Sequence, residues 1–203
     1  MTVLIYLFLV IAGYLLGSVS ASIELSKLRG SDVRSHGSGN AGATNMARSF
    51  GLIPAITVLA GDMLKAVASV WLGHFTMGDW GMFAAGLACL IGHCFPVYYG
   101  FRGGKGVSVG TVLLFAVDVR VGLCAVAVFV AVAVVSKKVS IGSVSADIAA
   151  LVLAFIFGLP LPRLLLIAMG GCIVVWRHHE NLKRFLNGTE PDFKLKSHRS
   201  NLK

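Results

Sequence analysis

The sequence predicts an all-α integral membrane protein, a bundle of about seven transmembrane helices, some of them short. Three observations carry this expectation. Hydrophobic residues make up 56% of the 203-residue chain and charged residues only 13%, where soluble domains carry about 25% charged residues. The mean hydropathy is +0.81. Apolar runs near the ~20-residue length of a membrane span alternate with short polar stretches rich in glycine and basic residues. Length-based domain counting applies to soluble chains, so residues 1–203 are expected to form a single transmembrane domain.

The formal net charge of +9 would suggest nucleic acid on a soluble protein. Here the positive residues flank apolar runs and read as topology signals, so membrane lipid, not nucleic acid, is the expected partner. Cys89, Cys94, Cys124 and Cys172 form no C-x-x-C pair and lie mostly inside apolar runs. They predict reduced thiols, with neither a disulfide framework nor a zinc site. The apolar N-terminus has no positive residue before Lys27, so it is expected to be an uncleaved first span.

Span 1 covers about residues 2–25, and residues 26–50 are polar. Span 2, about 52–75, is interrupted by Asp62 and Lys65, three apart and so on one helical face. Intramembrane charges are functional candidates by default; an inward-facing structural pair is favoured here. Span 3 covers about 81–99, followed by the polar stretch 100–106. Residues 107–135 are apolar except at Asp118 and Arg120, which predict a hairpin tip between a short span 4 and span 5. Spans 6 and 7, about 143–157 and 162–176, are divided by Gly158-Leu159-Pro160-Leu161-Pro162, and the tail from Arg177 is polar and basic.

Seven spans put the loops 26–50, 100–106 and 136–142 on one side with the C-terminal tail, and 15 of the 18 Lys and Arg lie there. The positive-inside rule then predicts that this side is cytoplasmic and that the N-terminus is outside. Every glycine-rich polar stretch falls on that one face. A carrier of phosphate compounds would instead want pathway residues on both faces and internal repeats.

The stretch from His36 to Arg48 holds three glycines, two asparagines, Ser38, Thr44 and Arg48. It cannot be a span and is expected to make a poor amphipathic helix. Gly37-x-Gly39-x-x-Gly42 fits a dinucleotide fingerprint, which has meaning only between a strand and a helix. The same composition can build a nest of backbone N–H groups that binds anions, or be a solvated loop, and composition leaves both open. Gly103-Gly104-Lys105-Gly106 is not a P-loop, because position 99 is Tyr and position 106 is Gly. A lysine at the start of a helix suits phosphate, although an interfacial lysine can also snorkel. His93 precedes it at the end of span 3, where a packed, hydrogen-bonded helix-end histidine is the favoured reading of the residues alone. Ser140 and Ser143 open span 6 as N-caps or anion donors. Near the tail, His178 and Asn181 share a helical face, while Lys183 and Arg184 read as surface charges near anionic lipid. Gly106-x-Ser108-x-Gly110 and His74-x4-Asp79 match catalytic patterns, but in contexts that make both look like chance.

Three segments, in order, resemble the PlsY family of bacterial membrane-integral glycerol-3-phosphate acyltransferases, which use acyl-phosphate. They are Ser38-Gly39-Asn40-Ala41-Gly42-Ala43-Thr44-Asn45-Met46-Ala47-Arg48, then Gly92-His93-Cys94-Phe95-Pro96 through Phe101-Arg102-Gly103-Gly104-Lys105-Gly106-Val107, then His178-x-x-Asn181-Leu182-x-Arg184-x-x-x-Gly188-x-Glu190. The usual Gly-Ser-x-Pro near the end of span 1 reads Gly17-Ser18-Val19-Ser20 here, and the missing proline is expected to straighten that helix end. Arg102 stands where the family often has Lys.

The resemblance implies transfer of a fatty acyl group from acyl-phosphate to the 1-hydroxyl of sn-glycerol 3-phosphate. The products would be 1-acylglycerol 3-phosphate (lysophosphatidic acid) and phosphate, made at the cytoplasmic face of a bacterial inner membrane. It implies no cofactor or metal, and an upstream acyl-phosphate synthase as a partner. Ser38, Arg48, Lys105 and Ser143 are implied to bind phosphate, completed by backbone N–H groups near Gly39, Asn40, Gly42 and Gly104. His178 and Asn181 are implied to position glycerol phosphate, with Thr44, Asn45 and His93 as further substrate contacts.

Overall fold

The computed structural model describes residues 1–193 and is helical throughout its regular structure, with no strand among the described residues. The helices are α1 (Thr2–Ser18), α2 (Ala21–Lys27), α3 (Ala43–Phe50), α4 (Leu52–Cys94), α5 (Val107–Val117), α6 (Val119–Ser136), α7 (Val139–Ile156), α8 (Leu161–Arg177) and α9 (His179–Leu186). Four apolar segments are long enough to cross a bilayer, or five if α8 and α9, which meet at 56°, count as one broken span.

The long segment α4 is a hairpin. Met77 and Gly78 leave helical geometry, with Gly78 at φ +59, a conformation glycine adopts without penalty. The two arms fold back so closely that a Cβ on Gly73 would lie 2.2 Å from the Gly81 carbonyl oxygen. Ser69 ties them by donating to the Ala85 carbonyl at 2.8 Å. The arms are the expected spans 2 and 3. With α1, α5, α6, α7 and α8 they bring the apolar helical segments to seven. Helix α5 is the expected short one: its 11 residues rise about 16 Å, roughly half of a ~30 Å hydrocarbon core. The tip at Asp118 falls where the charges predicted it, with Asp118 capping α6 through the Arg120 N–H.

Small residues set the packing of α1 on the second arm of α4. A Cβ at Gly13 would lie 2.4 Å from the Ala85 carbonyl oxygen, and one at Gly17 would lie 2.1 Å from that of Cys89. This G-x-x-x-G spacing lets two backbones touch where no hydrophobic force separates helix from lipid. At the far end Arg163 grips Asp79 with two nitrogens, at 2.9 and 3.0 Å, and donates to the Val117 carbonyl at 2.8 Å. One residue thus pins the hairpin turn, the end of α5 and the start of α8. The four cysteines are free thiols, Cys89 and Cys94 buried and Cys124 and Cys172 exposed.

Several expected boundaries shift. Residues 43–50 form a helix, α3, against the expectation of a poor one. Its first turn holds Thr44 and Asn45, weak helix formers, but Met46 and Ala47 face a small core with Ile23, Val33 and Val58, and burial of that face outweighs weak propensity. Helix α7 begins at Val139, so Ser140 and Ser143 lie within its first turns rather than before them. Span 1 does not stay straight without the proline: α1 stops at Ser18, and Val19 and Ser20 are extended. Lys65 explains the break, because its ammonium donates to the carbonyls of Gly17 at 2.9 Å and Val19 at 2.6 Å. The expected inward pair is present, with Lys65 3.0 Å from Asp62. Residues 194–203, including four of the fifteen positive residues counted on the loop face, lie outside the described residues.

Candidate active site

A cavity of about 820 Å³ opens between α3, α4, α5, α6, α7 and the α8–α9 junction. Its two ends differ in chemistry. The polar end gathers Ser38, Asn40, Gly42, Thr44, Arg48, His93, Lys105, Ser140, Ser143, His178, Asn181, Arg184 and Glu190; the other end is walled by Leu59, Met63, Leu114, Ala125, Phe129 and Ala146, with Asp147 its one carboxyl. A smaller outer cavity, about 340 Å³, shares Ser38, Asn40, Lys105, Asn181 and Arg184 and adds Gly39, Arg102 and Arg177.

The first wall is the loop from His36 and the start of α3. Asn45, on the cavity wall, holds it together. Only 1% exposed, Asn45 accepts from the Ser38 N–H at 2.9 Å and donates to the carbonyls of Val33, His36 and Asn40 at 2.9–3.0 Å. The Gly39 N–H is also spent, on the His36 carbonyl at 2.9 Å, and Gly39 lines only the outer cavity. Its role is the turn, at φ +71. What remains for an anion is the start of α3, where the first helical bond runs from the Met46 N–H to the Gly42 carbonyl. The N–H groups of Ala43 and Thr44 are therefore free of intrahelical partners and lie on the cavity wall. Arg48 lines the same wall; its Nε is buried with no partner among the described residues, and its guanidinium lies 5.9 Å from the Phe193 ring centre.

The second wall carries Lys105. Gly103 and Gly104 do not lend N–H groups to the cavity, since these bond the carbonyls of Cys94 and His93 at 3.3 and 3.1 Å. Their carbonyls in turn accept from Arg177. Both glycines are there for closeness: a Cβ on Gly103 would lie 2.2 Å from the His93 carbonyl oxygen, and one on Gly104 2.1 Å from His93 Nε2. Lys105 then projects into the cavity and donates to the Asn181 side-chain oxygen. Burial, reinforced by Arg184, Arg177 and Arg48 against the opposing pull of Glu190, lowers its pKa to about 8. Ser108, three residues on, donates to Asp62 at 3.3 Å, a carboxylate already paired with Lys65.

The third wall is the α8–α9 junction with the segment after α9. His178 is buried, and its Nδ1 lies 2.8 Å from the Val174 carbonyl. A carbonyl only accepts, so Nδ1 carries the proton and Nε2 keeps its lone pair. Burial lowers this histidine's pKa to about 4, so it is neutral near pH 7. Asn181 links the walls, receiving from Lys105 and donating to Glu190 at 2.7 Å. Glu190 also accepts from Ser140 at 2.7 Å and from Arg184 at 2.8 Å. Burial pushes its pKa up, but hydrogen bonds from Asn181, Ser140 and Arg184 outweigh this and hold it below the usual carboxylate range.

Of the expected residues, Ser38, Asn40, Gly42, Thr44, Asn45, Arg48, His93, Lys105, Ser143, His178 and Asn181 meet around this cavity. Ser143 donates back to the Val139 carbonyl at 3.0 Å, leaving its oxygen as an acceptor on the wall. Asn45 spends its side chain on the loop while lining the cavity, Gly39 lines only the outer cavity, and Gly104 lines neither. Arg184 is partly exposed, as a surface charge would be, but also lines both cavities, while Lys183 is exposed. Sequence reasoning left Glu190 without a role. Its signal was present, an acid at a fixed distance after Asn181 and Arg184 in an otherwise basic tail. His74 and Asp79 stay outside the cavity, Asp79 being held by Arg163.

Residues 7–188 match the family model described as glycerol-3-phosphate acyltransferase. The chain is 41% identical to the glycerol-3-phosphate acyltransferase of Rubrobacter xylanophilus over 91% of this chain and 94% of that one. It is 38% identical to the enzyme of that name from Aquifex aeolicus, over 92% and 98%. The crystal structure of PlsY, an integral membrane glycerol 3-phosphate acyltransferase, in its glycerol 3-phosphate form, superposes with a TM-score of 0.89 at 37% identity, covering 93% of this chain and 96% of that one. Its lysophosphatidic acid form gives 0.87. The all-helical bundle thus matches this group in sequence and in fold, and the chain belongs to the integral membrane glycerol-3-phosphate acyltransferase family.

Proposed function

We propose that residues 1–203 form a single domain that transfers a fatty acyl group from acyl-phosphate to the 1-hydroxyl of sn-glycerol 3-phosphate, releasing 1-acylglycerol 3-phosphate and phosphate. The observation that carries this is the two-ended cavity. Arg48, Lys105 and Arg184 with the start of α3 suit phosphate, and the apolar arm beside them suits an acyl chain. Both substrates bear phosphate, so a site this rich in cations serves donor and acceptor alike.

In this reading the acceptor's C1 oxygen attacks the acyl carbonyl carbon, and the bond from that carbon to the phosphate oxygen breaks. The hydroxyl proton leaves with the departing phosphate, which becomes hydrogen phosphate. His178, neutral with Nε2 as acceptor, holds the hydroxyl in place; with a pKa of about 4 it is a weak base. Asn181 fixes Lys105 against the leaving phosphate. Holding both reactants in one cavity supplies several kcal/mol of the barrier, and Arg48 and Lys105 meet the developing charge. No acyl-enzyme is needed, because acyl-phosphate is already activated. Ser38, Asn40, Gly42, Thr44 and Ser143 line the phosphate end as substrate contacts. We place this end at the cytoplasmic face of a bacterial inner membrane, with the N-terminus outside, from the bias of Lys and Arg. An acyl-phosphate synthase would supply the donor.

The test offers purified protein acyl-phosphate, acyl-coenzyme A and an acyl carrier protein thioester, each with glycerol 3-phosphate. Lysophosphatidic acid formed from acyl-phosphate alone is expected. Turnover with a thioester and none with acyl-phosphate would overturn the donor assignment.

A further inference from the structure

The reaction as described leaves the buried charges of α4 unused. The side chains of Asp62 and Lys65 are 2% and 8% exposed and lie 3.0 Å apart. The Lys65 ammonium, which donates to the Gly17 and Val19 carbonyls, also lies 3.1 Å from His93 Nδ1. An ammonium has three donors and no acceptor. A proton on Nδ1 would face it directly, and the alternative acceptor, Asp62 Oδ1, is 3.5 Å away, past useful hydrogen-bond length. Nδ1 therefore carries the lone pair and shares the third Lys65 N–H with Asp62 Oδ1, 3.0 Å from the ammonium, which leaves the proton of the neutral ring on Nε2. Asp62 supplies the counter-charge to Lys65, and its second oxygen is engaged by Ser108.

Nε2 lies on the side of the ring that matters. It is the atom nearest the Gly104 Cα face, where a Cβ would come within 2.1 Å. Gly104 directly precedes Lys105, and His93 forms part of the cavity wall. The two histidines that line this cavity thus carry opposite chemistry at Nε2: His178 a lone pair, His93 an N–H.

We propose that His93 is a fixed, neutral hydrogen-bond donor to an anionic substrate oxygen beside Lys105, acting through Nε2–H, and that Asp62 and Lys65 are positioning residues that hold it in that tautomer. The identity of the oxygen rests on the proposed reaction; the tautomer does not.

Protein labelled with 15N-histidine, in detergent micelles, tests it without turnover. The His93 signals, identified by their loss in His93→Gln, should show a protonated Nε2 and a bare Nδ1, and glycerol 3-phosphate should shift Nε2 and its proton. A protonated Nδ1, an imidazolium pattern, or no response to glycerol 3-phosphate would overturn the proposal. In the acyl-phosphate assay His93→Gln, whose amide reaches the Nε2 position, should stay within about tenfold of wild type. His93→Leu should lose about a hundredfold or more in kcat. Equal loss in both folded variants would also overturn it. Absence of turnover in wild type would sink the donor assignment while leaving the spectroscopic result standing.

Discussion

Lys105 is subject to two opposing demands. It must be buried enough to meet a phosphate closely, and charged enough to hold it. Burial and three nearby guanidinium groups bring its pKa to about 8, so it is cationic below that pH and neutral above it. The sign of the pH dependence follows: kcat/KM for glycerol 3-phosphate should fall as pH rises through about 8, by about tenfold per unit, while Lys105→Arg should show no such fall. A profile flat to pH 10 in wild type would contradict this. Truncation makes the same point: Lys105→Ala and Arg48→Ala should each lose at least about a hundredfold in kcat/KM, whereas Ser108→Ala and His74→Ala should keep most of it, measured as phosphate release. The sequence made these cations legible, because lysine and arginine beside glycine in a membrane chain are costly unless used. It could not assign Asn45, Gly39 and Gly104, since a small polar residue beside a phosphate and one beside a carbonyl have the same composition. Only the direction of each hydrogen bond separates them.

At the scale of elements, the loop before α3 depends on one side chain. Asn45 provides one acceptor and two N–H donors to four backbone groups spread from Val33 to Asn40. Asn45→Ala should cost about 1–3 kcal/mol, read as a lowered thermal midpoint and faster proteolysis within residues 36–42. Asn45→Asp should be at least as damaging, because a carboxylate would face three carbonyls. An unchanged midpoint in both would refute this role. Helix α3 itself was not legible, because its stability comes from burying Met46 and Ala47 against α2 and α4, a tertiary gain invisible to a local reading. The α5–α6 tip was legible, because Asp118 and Arg120 fall inside an apolar run, 107–135, that is too long for one ~20-residue span. The break after α1 persists without its proline because Lys65, 46 residues from Val19, caps the loose carbonyls.

For the whole molecule, the bundle was readable as seven apolar segments because hydropathy reports burial in lipid directly. Their inward faces were not, because a helix that meets lipid on one side and protein on the other is apolar all round. The cavity's apolar arm is therefore a finding of the structure, and it carries its own prediction. Ala125 and Ala146 are 2% and 8% exposed on its wall. Ala125→Phe or Ala146→Phe should fill the arm and exclude several methylenes, each worth about 0.8 kcal/mol. Long-chain acyl-phosphates should then lose about a hundredfold in kcat/KM, while a four-carbon donor keeps most of its rate. Equal loss for both chain lengths would move the acyl chain elsewhere. The central claim, that one basic cavity joins an acyl-phosphate to glycerol 3-phosphate by direct attack, is tested most directly by the stoichiometry of a single turnover. Enzyme in excess over acyl-phosphate should release one phosphate for each lysophosphatidic acid formed, with no phosphate released until glycerol 3-phosphate is added, and neither product formed by Arg48→Ala. A burst of phosphate before the acceptor is present would reveal an acyl-enzyme or hydrolysis, and would contradict the account.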